Sequence, residues 1–304
     1  MKKSSLRFIA LLCGGIMVLS SCHQSDKKTT AEDRQDGQIE NFYDTSRSGA
    51  SPSETEKTAT AAEGKDKGGI TRYELPAPLK DRPEQIIRRK GYTVSYNKET
   101  RTANWVAWHL TKGHTYGRNQ RSAEQFSEDA TVGQPRATDW DYYNSRYDRG
   151  HMCPAGDNKW DAQAMRETFL FTNICPQNHA LNKYEWNDVE MMCREWARQL
   201  GAIDIVCGPV YTKGKEVKTI GKNKVRVPDG FFKVILDRDG NGKAIGFLYD
   251  NNGKKVNMRD AVRTVDDIER LTGIDFFPAL DDKKETRVEA TADLNAWPHF
   301  QIKR

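Results

Sequence analysis

One segment of this chain places an imidazole where it could work as a base. Tyr147-Asp148-Arg149-Gly150-His151 runs into Met152-Cys153-Pro154-Ala155-Gly156-Asp157-Asn158. Its Gly and Pro punctuation marks irregular surface backbone, the kind that usually carries function. An unperturbed imidazole titrates near ~6.5, so His151 can take a proton from water near neutral pH. Arg149 offers charged donors to an anion two residues earlier. The pair alone is weak evidence, since most histidines are solvated or satisfied in a core. A second block adds to it: Phe169-Leu170-Phe171-Thr172-Asn173-Ile174-Cys175-Pro176-Gln177, then Leu181-Asn182, Trp186 and Val189-Glu190.

Together the two blocks resemble the DNA/RNA non-specific endonucleases of the ββα-metal group, which include endonuclease G and secreted sugar-non-specific nucleases. Further segments look like the same family in the same order: Asn104-Trp105-Val106-Ala107-Trp108, Gly208-Pro209-Val210, Val227-Pro228-Asp229-Gly230-Phe231-Phe232-Lys233 and Ile268-Glu269-Arg270-Leu271-Thr272-Gly273. The resemblance implies hydrolysis of phosphodiester bonds in DNA and RNA, leaving 5′-phosphate ends. It implies His151 as general base, Arg149 as a phosphate contact and Asn182 as the one protein ligand of Mg2+, for which Mn2+ could substitute. It groups Glu190, in the outer shell of the ion, and Asn173, as support, with the catalytic set. It also asks for an arginine near Arg121 to hold the phosphate from the other side. Spacing there is irregular, and Arg118 competes for that role.

Those roles suit the residue types. Attack on an anionic diester builds negative charge on the phosphoryl and leaving oxygens, which a hard cation and guanidinium donors stabilise. Mg2+ keeps several of its waters, so a single amide oxygen from Asn182 can suffice. On an ideal α-helix Glu190, eight residues after Asn182, lies about 12 Å along the axis and about 80° round it. That favours a water-bridged role over shared ligation.

The elements that must carry these groups give an α+β class, with the resemblance implying a ββα-metal nuclease fold whose central, mainly antiparallel sheet is flanked by helices. Thr93 to Asn97 and Trp105 to Leu110 predict a hairpin, as do Phe231 to Leu236 and Ala244 to Tyr249. Ile203 to Val206 reads as a buried strand meeting a turn at Gly208-Pro209. Trp186, Val189, Cys193, Trp196 and Leu200 form one apolar stripe, predicting a helix from about Tyr184 to Leu200. Thr264 should cap a later helix that Gly273 ends. Asp237-Arg238-Asp239-Gly240-Asn241-Gly242 opens like an EF-hand loop, but Leu248 stands where a bidentate Glu is needed, so a hairpin turn explains it better. His109, His114, His179 and His299 read as structural or solvated, with His179 near enough in sequence to edge the site. Trp105, Trp108, Trp186 and Trp196 sit at core spacing.

The N-terminus reads as bacterial export. Lys2, Lys3 and Arg7 precede an apolar run, and Leu19-Ser20-Ser21-Cys22 resembles a lipobox. The expected organisation is a lipoprotein signal peptide over 1–21, a polar tether over 22–70 acylated at Cys22, and a nuclease domain over 71–304. This implies a membrane anchor in the cell envelope, facing the periplasm or the outside. Cys153, Cys175, Cys193 and Cys207 remain, free to form one or two disulfides in any of three full pairings or to stay as buried thiols; their spacing suits no zinc site. Past the N-terminus no apolar run has the length of a membrane-spanning helix, and a net charge of +5 permits a polyanionic partner without requiring one. Two other readings are open: a nucleic-acid-binding lipoprotein that does not cut, and a metal phosphodiesterase acting on small substrates.

Overall fold

Both faces of one sheet are apolar, and helices cover both. The computed structural model describes residues 71–239 and 242–300. Strands β1 (Gln85–Arg88), β2 (Thr93–Asn97) and β3 (Thr102–Thr111) come first, followed by the short helix α1 (Asp139–Tyr142). Next come β4 (Asp148–His151), α2 (Ala162–Glu167), β5 (Ile174–Gln177) and α3 (His179–Leu181). A π-helical turn, Asn182–Trp186, then leads into α4 (Asn187–Leu200). The chain continues through β6 (Ala202–Val210), β7 (Thr219–Ile220), β8 (Val225–Arg226), β9 (Gly230–Asp237), β10 (Lys243–Asp250) and β11 (Val262–Arg263) to α5 (Val265–Thr272) and α6 (Asp282–Glu289).

Seven strands pair in the order β1-β2-β3-β6-β9-β10-β11, every pair antiparallel. Side chains alternate between the faces, as strand geometry requires. Val106, Trp108 and Leu110 of β3, with Phe231 and Ile235 of β9, join the core beneath α4. Trp105 and Ala107, with Phe232, Val234 and Leu236, join a second core with Val265 and Ile268 of α5 and Val288 of α6. The α+β class with a central antiparallel sheet and flanking helices is therefore the observed architecture. The helical stripe is buried at Trp186, Val189, Cys193 and Trp196, and half-buried Leu200 packs against the same core. Both hairpins form, β2 with β3 and β9 with β10. Thr264 caps α5 by accepting from the Asp267 amide, and Gly273 ends that helix at φ +70°.

Three expectations need correction or completion. Gly208-Pro209 is no turn: β6 runs on to Val210, pairing Pro209 with Phe231. Pairing of β6 with β3 ends at Cys207, so the missing proline N–H costs no ladder bond on that side. The helical run starts earlier than Tyr184, at His179, because the π turn bridges α3 and α4. Among the alternatives for the four cysteines, free thiols are what the structure shows. Cys153, Cys175, Cys193 and Cys207 are all unpaired and buried in the core under α4, packed as small apolar groups.

The signal peptide, the tether and Cys22 lie outside the described residues, as does the Gly240-Asn241 tip of the β9–β10 turn. Its flanks form the hairpin, with Asp237 opposite Lys243 and Leu248 in register with Phe232. Among the described residues no helix is long and apolar enough to cross a membrane.

Trp196, on the buried face of α4, stacks on Trp297 at 4.2 Å and donates its indole N–H to the Pro298 carbonyl at 2.8 Å. Trp196→Ala should cost about 3–5 kcal/mol of unfolding free energy in urea titrations, the usual penalty for deleting a buried large aromatic.

Candidate active site

Strands β4 and β5 form a separate two-stranded ribbon, with Asp148 opposite Gln177 and His151 opposite Ile174. Gly150 is required at its centre, since a Cβ there would meet Gln177 Oε1 at 2.2 Å. The ribbon is joined to the following helical run by Trp186, whose buried indole donates to the His151 carbonyl at 3.2 Å. Between ribbon and helix opens a cleft of about 540 Å³ lined by Arg121, Asp148, Arg149, His151, Lys159, His179, Asn182, Lys183, Glu190 and Arg194, among others. Five Lys or Arg side chains face two carboxylates there, so the cleft suits an anionic ligand.

His151 stands edge-on to Phe169, ring centroids 5.0 Å apart, and 5.4 Å from Phe126. Its Nε2 is enclosed without a hydrogen-bond partner, and the residue lines the cleft. Burial, with the Arg121 charge beside it, pushes the imidazole down to about 3. It is neutral, and able to accept a proton, across the physiological range.

Asn182 donates from Nδ2 to Asp148 Oδ2 at 2.9 Å, and His179 Nδ1 lies 3.0 Å from the same carboxylate oxygen. Anchoring the amide nitrogen turns Oδ1 away from Asp148 and leaves it available to a hard cation. The π turn changes the relation of Asn182 to Glu190. One inserted residue makes the eight-residue step equivalent to about seven, or roughly 20° short of two full turns, in place of the 80° of an ideal helix. Both side chains therefore line one cleft. Their axial separation of about 10 Å still favours a bridged relation. Burial raises the Glu190 carboxyl to about 7, against the pull of Lys233, Arg194 and Arg121.

Arg149 is held by the exposed Asp139, Nε to Oδ1 at 2.6 Å, and lies over Phe126 and Tyr142. Such an exposed pair contributes little and can yield to a phosphate. Arg121, on the one-turn 3-10 helix Arg121–Ala123, lines the cleft, whereas Arg118 does not. Asn173 has no face on the cleft. It is fully buried, accepting from the Cys153 amide at 2.9 Å and donating to the Cys153 and Thr168 carbonyls. It fixes the backbone after His151 from outside the cleft, a supporting place beside the catalytic set with which the sequence grouped it.

Several neighbours were not singled out from sequence. Asp148 stood inside the quoted motif without a role. Arg194 is bound at 3.0 Å to buried Asp157, which also accepts from Trp108 Nε1. Lys233 is fully buried below the cleft, its ammonium 4.6 Å from the Trp186 ring and 5.0 Å from Trp108. Burial works against its charge, but Cys207, Cys193, Glu190 and Asp157 together hold it above the ordinary lysine range. The signal was available in the alternation of β9, where Phe231, Lys233 and Ile235 share the face under α4.

Residues 66–283 match the family model described as DNA/RNA non-specific endonuclease. The chain belongs to that family. It is similar to mitochondrial nuclease EXOG of Danio rerio, 38% identical over 216 residues that cover 65% of this chain and 63% of that protein. It is also similar to a nuclease of Nostoc sp., 34% identical over 71% of this chain and 82% of that one. Human mitochondrial endonuclease G is 31% identical over 70% of this chain and 74% of its own length. In structure the chain resembles one in the crystal structure of the EndoG/EndoGI complex, with a TM-score of 0.62 and 26% identity, covering 66% of this chain and 89% of that one. The chain thus spans less than two thirds of the EXOG relative's length. Enzymes of the family are metal-dependent in general, which agrees with a free amide oxygen beside an acidic partner in an otherwise cationic cleft.

Two outcomes test this geometry. Asp148→Ala should weaken Mg2+ or Mn2+ affinity about 10- to 100-fold by calorimetry, since the Asn182 amide loses its orienting partner. For Glu190 the folded pKa lies above the ordinary 4.5. Its contribution is therefore intact below that value and is lost as pH rises through about 7. In metal-free buffer Glu190→Gln should melt higher than wild type above pH 7 and at the same temperature near pH 4.5.

Proposed function

We propose that this protein is a Mg2+-dependent, sequence-non-specific endonuclease that hydrolyses phosphodiester bonds in DNA and RNA. The observation that carries the reading is the convergence of His151 and Asn182 on one cleft in which cationic side chains outnumber carboxylates. Arg121 and Arg149 grip the scissile phosphate from two sides. The neutral imidazole of His151 takes the proton of the attacking water. Phosphate bound against Arg121 neutralises one of the two causes that depress the imidazole, which raises its basicity as substrate arrives. Asn182 Oδ1 would hold Mg2+, with Glu190 nearby at one remove, and the ion when bound supplies positive charge to the phosphoryl and leaving oxygens. Mn2+ would fit the same oxygen donors. Contacts confined to phosphate and sugar read no sequence, and affinity should fall steeply with salt.

The sequence supports a location to go with this activity: export, acylation at Cys22, and a polar segment linking that lipid anchor to the nuclease domain in the cell envelope.

Plasmid nicking is the direct test. Wild type should nick supercoiled DNA and degrade RNA with Mg2+ and stop in EDTA. His151→Ala should lower kcat by about 10²- to 10⁴-fold with little change in DNA affinity. Asn182→Ala should lose activity that excess Mg2+ restores only in part. Tight binding without nicking would overturn the enzymatic reading, and preference for a small chromogenic diester over plasmid would overturn the polymer as substrate.

A further inference from the structure

On the other face of the sheet from α4, three carboxylates meet where α5 packs beside α6. One oxygen each of Asp266, Glu269 and Glu289 lie within 4.8 Å of one another. Asp266 and Glu269 are half-buried, and Glu289 is 6% exposed. Its Oε1 is buried without a hydrogen-bond partner, so a polar oxygen has been taken out of water with nothing to replace the solvent. Glu269 spends one oxygen on the Phe276 amide, at 2.7 Å, which fixes the orientation of that carboxylate and leaves its second oxygen over.

The surroundings add negative charge. After burial, the neighbours acting most strongly on Glu289 are the carboxylates of Glu269, Glu285, Asp266 and Asp275, and together they drive it up to about 9. Glu289 is also the last residue of α6, at the end of a helix where a negative charge is disfavoured. On these two helices Arg270 pairs with Asp267, and Lys284 donates to the Arg238 carbonyl.

We propose that Asp266, Glu269 and Glu289 hold a calcium ion that ties α5 to α6, at a site distinct from the cleft of Asn182. An all-oxygen set with three carboxylates is the ligand chemistry of Ca2+, which takes six to eight oxygens at about 2.3–2.6 Å. Oxygens up to 4.8 Å apart can share one ion at that radius. Mg2+ dehydrates reluctantly and is usually held through one or two carboxylates. The ion replaces the missing partner of Glu289 and cancels the mutual repulsion of the cluster. Its role is structural, fastening α5 and α6 onto the second core, and it is independent of the proposed chemistry in the cleft.

The test uses the full-length protein carrying Asn182→Ala, which removes the ligand in the cleft, and 45Ca2+ in equilibrium dialysis. One ion per chain should bind, and excess Mg2+ should compete poorly. Adding Glu289→Gln or Asp266→Asn should weaken binding at least about tenfold. Calcium should raise the melting temperature of the parent and leave that of the Glu289→Gln protein unchanged. In EDTA the Glu289→Gln protein should melt no lower than the parent, which shows that it folds. Absence of calcium binding in the parent overturns the proposal. So does binding that neither substitution weakens, or equal competition by Mg2+.

Discussion

The hydrogen bond from the Trp186 indole to the His151 carbonyl is the joint on which the site depends. It couples the β4–β5 ribbon, which carries the imidazole and Arg149, to the helical run that carries Asn182 and Glu190. The donor lies in a fully buried ring, so it has no water to turn to if the joint opens. The π turn ends at this same residue. Trp186 therefore both locks helix to ribbon and closes the insertion that brings Asn182 and Glu190 round to one face. Single π turns recur at functional sites because they rotate a few side chains without breaking the helix.

Around that joint the polar groups are arranged in pairs that leave one atom over. Asp148 takes the Asn182 amide nitrogen and frees its oxygen. His151 sets its ring against Phe169 and Phe126 and leaves Nε2 without a partner. Asp139 holds Arg149 in an exposed pair that a phosphate can displace. Each arrangement fixes a side chain before a ligand arrives, so ordering costs less at binding.

The parts legible in the sequence were those with a local signature. Alternation in β2, β3, β9 and β10, the stripe from Trp186 to Trp196, and the Thr264 and Gly273 caps each depend on residues near one another in the chain. The ribbon motif around His151 could be quoted residue by residue. The π turn was not legible, because an inserted residue leaves the apolar period after Trp186 unchanged and shows only in how Asn182 is rotated relative to Glu190. Gly208-Pro209 misled because its residue types are those of turns, whereas its permission to lie in a strand comes from where β3 stops pairing. The choice between Arg121 and Arg118 turns on which side chain reaches the cleft, a matter of loop path. The carboxylate cluster of Asp266, Glu269 and Glu289 spans two helices, and no window of sequence contains it.

Lys233 shows how a charge can serve the cleft without entering it. It lies on the strand face beneath α4, between two tryptophan rings, and acts on Glu190 through protein and not through water. Exposed Arg121, and Arg149 at the cleft surface, are screened by salt over distances beyond about 8–10 Å at physiological ionic strength. The buried ammonium is screened far less, so its hold on Glu190 persists where capture of a polyanion weakens. The positive field of the site thus has two components. One, at the surface, governs encounter with substrate and depends on salt. The other, in the core, keeps Glu190 from rising further than burial and Asp157 would drive it, and is nearly independent of salt.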